Sequence, residues 1–277
     1  MSAFAEPGRP PLTWNLLGRS VDDIRLRADG YARMSREWAV GGATGAGVRV
    51  CLLDSGIEAD HPRIGPVQGW YGAVAGPDGD LEVRKVEPGD TSGHGTACAS
   101  VIRSIAPECE LHSVRVMESF AGTGDALLAG LRWAVDGDFD VINISMSTTR
   151  RRYVGPLREL LDQAYFSGKL VVAAAHNLAV ESYPWRFSSV LSVGSHGEGC
   201  PDLILYNPSP PVEFFAHGLD VEVGWLGGST VRATGNSFAA PHLTGYCALI
   251  RSKHPQLTNF QVRNTLYLMC DNVEDRS

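Results

Sequence analysis

The sequence predicts an α/β fold, a three-layer α/β/α sandwich around a mostly parallel central sheet. Three observations carry that expectation. Residues 48–56 (VRVCLLDSG) form a near-continuous apolar run that ends in a polar turn, the pattern of a strand covered on both faces. Strand-like runs of this kind alternate with amphipathic, helix-like segments along most of the chain. The 277 residues, 44% hydrophobic and 20% charged, can bury a core of domain size, whereas disordered, collagenous and coiled-coil chains have other compositions.

Residues 1–30 carry Pro7, Pro10 and Pro11 and then a short amphipathic stretch. They are expected to form an N-terminal extension or docking arm, with the domain proper over residues 31–277. YARMSREWAV (31–40) reads as a helix, GGATGAG (41–47) as a glycine-rich turn, and 48–56 as the first strand. HGTACASVIRSI (94–105) reads as a helix and ELHSVRVM (110–117) as a strand. DALLAGLRWAVDG (125–137) and VGPLRELLDQAYFSG (154–168) read as helices, each followed by a strand, DVINISM (140–146) and LVVAAAHN (170–177). VLSVGS (190–195) and VEFFAHG (212–218) read as short strands. FAAPHLTGYCALIRSKHP (238–255) and TNFQVRNTLYLMCDN (258–272) read as the closing helices. Residues 72–93, rich in Gly and Asp, show no periodicity and are expected to be a loop.

A net charge of −7 leaves no broad basic field to attract nucleic acid or anionic lipid, so neither is an expected partner. No run reaches the roughly 18 apolar residues of a membrane helix, and residues 1–30 contain no apolar core of a secretory signal. The six cysteines are scattered without a C-x-x-C pair, and several sit in apolar stretches, as small buried hydrophobes do. Reduced thiols and a cytoplasmic location are the expectation.

In such a fold, functional groups gather at the carboxyl ends of strands. Four polar residues sit at the ends of separate expected strands or at the starts of helices. Asp54 closes the first strand before a Ser-Gly turn. His94 lies between Gly93 and Gly95 at the start of a helix. Asn177 ends the run LVVAAAHN. Ser237 precedes Pro241 by four, and a proline tolerated in a first turn puts this serine at or near a helix N-terminus. Each residue has an ordinary structural reading as a cap or turn former. Together, in the chain order Asp, His, Asn, Ser, they match one of the known orders of a nucleophilic triad.

On these motifs the chain resembles the subtilisin-like serine peptidases (subtilases). VRVCLLDSGIEADHP resembles the family's aspartate motif, GHGTACAS its histidine motif, GNSFAAPHLTG its serine motif, and VVAAAHN the strand that carries its oxyanion asparagine. The resemblance spans about residues 35–270. It implies a subtilisin-like sandwich and a serine endopeptidase. Ser237 would be the nucleophile, His94 the general base and Asp54 its orienting carboxylate. Asn177 and the Ser237 backbone N–H would be the oxyanion donors. It also implies substrate-binding roles for Ser145, Met146 and Ser147, for Ala174, Ala175 and His176, and for Asn236. Pro184 would lie beside the specificity pocket, in a Tyr183–Pro184 bond expected to be cis.

The chain departs from the family pattern at several of these positions. Asn236 stands where the residue before the serine is usually Thr, and His176 replaces a glycine and is expected to narrow the pocket or to require a local backbone shift. The family's Ser-x-Gly-Gly segment reads Ser145, Met146, Ser147, Thr148, followed by Thr149 and then Arg150, Arg151 and Arg152. That basic run would favour acidic substrate residues or simply be a solvated loop. The family's inhibitory prodomain and inserted calcium loop are both expected to be missing. The acids of residues 76–90 match no calcium-loop spacing, so no cofactor and no obligate metal is expected. Cys98, one helical turn after His94, could pair with it on a metal or pack beneath the imidazole. Asn143 matches a glycosylation pattern but lies in an expected buried strand.

The functional expectation is an intracellular processing peptidase of restricted specificity, for example one that removes a leader from a peptide precursor. Its substrate would be a peptide or protein. Because the chain ends soon after its last helix, the domain is expected either to be completed or regulated by a partner protein or to be a minimal fold. The rivals are a catalytically impaired pseudo-peptidase that binds a peptide or protein, and an esterase or acyl transferase with the same nucleophile.

Overall fold

A computed structural model describes residues 35–118, 121–198 and 200–273. The expected arm over residues 1–30, and the first residues of the helix expected at 31–40, lie outside the described residues. In chain order the strands are β1 (Arg49–Asp54), β2 (Gly56–Ile57), β3 (Gly69–Ala75), β4 (Leu81–Lys85), β5 (Gly89–Asp90), β6 (Glu110–Arg115), β7 (Met117–Glu118) and β8 (Ala121–Gly122). They continue with β9 (Val141–Ile144), β10 (Leu170–Ala174), β11 (Leu191–His196), β12 (Leu205–Tyr206), β13 (Phe214–His217), β14 (Val221–Trp225) and β15 (Ser229–Ala233). The helices are α1 (Arg36–Val40), α2 (His94–Ile105), α3 (Gly124–Asp136), α4 (Val154–Phe166), α5 (Asn236–Lys253) and α6 (Asn259–Leu268).

The main sheet runs β12-β13-β11-β10-β9-β1-β6-β3-β4. Every pairing from β3 to β13 is parallel, and only the edge strands β4 and β12 run antiparallel. All four residues of β9 and all five of β10 are buried, as central parallel strands with helices on both faces must be. The helices divide between the faces. Side chains of α2, α5 and α6 form one core cluster with Val50, Leu52 and Phe214, and those of α3 and α4 form the other with Leu53, Ile142 and Val171. The alternation read from the sequence is therefore the observed three-layer sandwich. No described helix is long and apolar enough to cross a membrane.

Local chemistry explains the helix starts. Thr123 caps α3 by accepting from the Ala126 N–H, and Thr258 and Gln261 form a capping box on α6. Helix α2 packs closely against the turn after β1. A Cβ on Gly95 would lie 1.9 Å from the Gly56 carbonyl oxygen, so only glycine lets α2 come this close to the turn after β1.

Three expectations are corrected. Residues 72–93 are not a loop: β3 joins the sheet beside β6, β4 folds back on it as an antiparallel edge, and β5 pairs with β2. Their side chains are largely half-buried or exposed, which is why no apolar periodicity marked them. The strand of LVVAAAHN stops at Ala174, so Asn177 lies in the loop beyond it. Pro241 stands in the interior of α5 rather than in its first turn. A proline there leaves the carbonyl four residues back, that of Ser237, without its helical N–H partner. The Cys98 thiol takes the place of that donor, 3.3 Å away.

Candidate active site

Because β1, β9 and β10 are parallel neighbours, their carboxyl ends come out side by side. Asp54 ends β1, Ser145 follows β9, and residues 175–177 follow β10. Helices α2 and α5 bring His94 and Ser237 to the same edge. His94, Ser145, Met146, Ser147, Ala174, Ala175, His176, Asn177 and Ser237 all line one cleft of about 590 Å³, with Met117 and Phe238.

Asp54 is 1% exposed, and its Oδ1 accepts from His94 Nδ1 at 2.7 Å and from the Ser55 N–H at 2.8 Å. His94 is 12% exposed, with its ring 5.3 Å from that of Phe238. Burial disfavours its charged form, but the Asp54 carboxylate, together with the Cys98 sulfur, outweighs burial and holds the imidazole well above its ordinary pKa of 6.5. Bonding Nδ1 to a carboxylate leaves Nε2 as the basic nitrogen.

Cys98 is fully buried beneath this pair. Its Sγ lies 3.9 Å from His94 Nδ1 and 3.5 Å from Ser145 Oγ. Burial pushes the thiol up, so it stays protonated at neutral pH. Asp54, His94 and Cys98 offer ligand atoms within 4.8 Å of one another. The imidazole nitrogen facing that group is already bonded to Asp54, and the thiol donates to the Ser237 carbonyl, so hydrogen bonds account for the cluster. The connection between α2 and β6 is short, and the carbonyls of Pro107 and Cys109 accept from the Arg103 guanidinium.

A network that the sequence reading missed holds His94 in place. Asp90 Oδ1 accepts from the Ser55 hydroxyl and from the N–H groups of Ser92 and Gly93, and Oδ2 accepts from the Thr96 N–H and hydroxyl. Ser55 Oγ in turn accepts from the Gly95 N–H. One carboxylate thus ties the turn after Asp54 to the first turn of α2. The Asp90→Ala variant is expected to lose on the order of 3 kcal/mol of stability, because several donors are stranded. Chemical denaturation measures it, and a loss below about 0.5 kcal/mol would show the network to be dispensable.

Ser237 is half-buried in the first turn of α5, not its cap: Gly235 occupies the cap position. A Cβ added at Gly235 would lie 3.2 Å from Ser237 Oγ and 3.5 Å from Asn177 Nδ2, so these two atoms border one small space that glycine leaves open. The exposed Asn177 is oriented by the Asn236 backbone N–H, which donates to its Oδ1 at 2.9 Å. Its Nδ2 is thereby left as the available donor.

Other expected site residues are placed differently. The Asn236 side chain does not line the cleft; it bonds backbone groups of Ser195, Ala175 and His176. Pro184 is buried and does not line the cleft either, although the Tyr183–Pro184 bond is cis. His176 does line the cleft, with Nδ1 accepting from the Leu178 N–H. Thr148 forms a two-bond backbone bridge with Tyr183 that no local pattern announced. Arg151 pairs with Glu181, and Arg152 pairs with Asp125 and covers the Tyr153 ring, so the basic run is a surface feature outside the cleft. Asn143 is fully buried, bonded to Ser145 and Thr244, and its side chain is closed to glycosylation in the fold.

Residues 45–275 match the family model described as the subtilase family. The chain belongs to that family. This subtilase is 31% identical over 255 residues to subtilisin DY of Bacillus licheniformis, a match covering 84% of this chain and 87% of that one. It is 31% identical over 247 residues to subtilisin E of Bacillus subtilis (strain 168), covering 81% of this chain and 61% of subtilisin E. A cold adapted subtilisin-like serine proteinase of known crystal structure aligns with a TM-score of 0.64 at 24% identity over 80% of this chain and 82% of that one, a likeness of fold. As a subtilase the protein is a serine endopeptidase, a hydrolase whose substrates are peptides or proteins.

Proposed function

We propose that this subtilase hydrolyses peptide bonds through Ser237, His94 and Asp54, with Asn177 as oxyanion donor, and that it is an intracellular processing enzyme of restricted specificity. The observation that carries the assignment is the 2.7 Å bond between buried Asp54 and His94 in the cleft that Ser237 and Asn177 also line. Ser237 Oγ attacks the scissile carbonyl while His94 Nε2 takes its proton. Asp54 keeps Nδ1 protonated and stabilises the imidazolium that forms. The carbonyl oxygen, now an anion, accepts from Asn177 Nδ2 and the Ser237 N–H. His94 then protonates the leaving amine, and water repeats the sequence on the acyl-enzyme.

Restricted specificity is supported by the side chains of Ser147 and His176 in the cleft wall, at positions where the family pattern has glycines. An intracellular, cytoplasmic setting is supported by six free cysteines, five of them buried. The purified enzyme should cut a single precursor at one bond and leave casein largely intact; broad casein digestion would overturn the restricted reading.

The assembled site is tested by intact-mass labelling with a fluorophosphonate. One adduct on the protein and none on Ser237→Ala is the expected result. No adduct on either would leave a binding role as the reading. The pH profile is a second check. The base must be neutral, and the raised His94 pKa delays its neutrality, so kcat/KM should rise with pH through a midpoint above 6.5. A midpoint below 6.5 would contradict the assigned pairing.

A further inference from the structure

We propose that Asn236 is a positioning residue that sets the oxyanion donor Asn177 against the nucleophile, an inference that rests on the catalytic reading above. Asn236 precedes Ser237 at the start of α5. Its side-chain Oδ1 accepts from the Ser195 N–H of β11 at 2.9 Å. Its Nδ2 donates to the carbonyls of Ala175 at 3.2 Å and His176 at 3.3 Å, and its backbone N–H donates to Asn177 Oδ1 at 2.9 Å. One residue thus holds three consecutive residues of the opposite segment, 175 to 177, and anchors itself to the sheet.

That segment needs such a hold. Strand β10 ends at Ala174, and the last ladder bond beyond it is from the Ala175 N–H to the Val193 carbonyl. The carbonyls of Ala175 and His176 are therefore past the sheet, and residues 177–180 are exposed. A side-chain amide has two N–H donors and a carbonyl acceptor, which is what two carbonyls and one N–H require. A threonine at this position has one hydroxyl hydrogen and cannot satisfy both carbonyls while also receiving the Ser195 N–H in the same geometry. The departure from the family motif therefore ties the helix of Ser237 to residues 175 and 176, the backbone that leads into Asn177. An oxyanion donor acts only when aimed at the place where charge develops.

The test is a double-mutant cycle on the full chain, read as kcat and KM on a peptide substrate, with thermal midpoints recorded. Asn177→Ala is expected to lower kcat about 10²- to 10³-fold, as the same loss does in subtilisin. Asn236→Ala is expected to lower kcat about 10- to 100-fold with KM little changed, the size of effect that a misplaced group produces. In the Asn177→Ala background, Asn236→Ala should cost little more, because the group it positions is gone. Asn236→Asp, which keeps the shape and the acceptor for Ser195 but loses both donors, should repeat the kcat loss and covers the case in which the alanine variant does not fold. Full additivity in the cycle, or an Asn236→Asp enzyme with undiminished kcat, would overturn the proposal. An Asn177→Ala enzyme of normal kcat would instead remove the oxyanion reading on which it rests, and the proposal with it.

Discussion

The Ser237→Ala variant is expected to lose about 10⁶ in kcat while keeping its fold, the magnitude found when this role is removed in subtilisin. The serine stands in the first turn of α5, half-buried, with its side chain on the cleft, so truncation leaves the core packing untouched. Its backbone supports the fold by other means, since its carbonyl receives the Cys98 thiol and its N–H remains in place in the alanine variant. Residual turnover from the oxyanion donors and substrate binding should stand about 10³–10⁴ above the uncatalysed reaction. Purified variant and parent are compared on one peptide substrate by kcat, with thermal midpoints as the control. A variant retaining more than about a hundredth of the parent kcat would show that another group is the nucleophile.

Asp54→Asn is expected to cost about 10⁴ in kcat, and it carries a second signature that a folding defect would not produce. Asp54 contributes the negative charge that overcomes burial at His94. Cys98 adds to that effect, but burial pushes its thiol up, so Asp54 is the main source of the charge. Asparagine preserves shape and can still accept from the Ser55 N–H, but it leaves the imidazolium of the transition state without a counter-charge in a buried site. With the charge removed, burial dominates and the His94 pKa falls. The midpoint of the kcat/KM profile should therefore move from above 6.5 toward lower pH while the rate plateau drops. A variant whose plateau fell with no movement of the midpoint would place the titrating base elsewhere.

The proposed triad was legible in the sequence because each candidate sits in a local signal. Asp54 ends an apolar run, His94 lies between glycines at a helix start, and Ser237 stands two residues after Gly235 at the head of a long helix. The supporting cast was not legible, because its partners are distant in the chain. Asn236 reaches a backbone group 41 residues away and two others about 60 away, and Asp90 acts on Ser55 35 residues earlier. The edge hairpin β3–β4 was missed for a different reason. Strands that are largely half-buried or exposed, as both of these are, carry no apolar pattern to read. Asn236 was expected at the substrate because of its place beside Ser237, whereas its side chain points to the sheet.

By itself the sequence determined the α/β class, the succession of the central strands and helices along the chain, and the candidates for nucleophile, base and carboxylate. Those follow from hydrophobic periodicity and from short motifs, which are local properties of the chain. Tertiary structure decided where each group points and what holds it. It decided that Pro241 stands inside a helix because the Cys98 thiol replaces the lost donor at the Ser237 carbonyl. It decided that the Arg150–Arg152 run belongs to the surface, since two of its members find carboxylates there. And it decided that Asn236 joins the nucleophile's helix to the Asn177 loop. The physical reason is common to all three: a hydrogen bond or ion pair is completed by a partner whose nearness is set by the packing of the sheet and helices, and not by its distance along the chain.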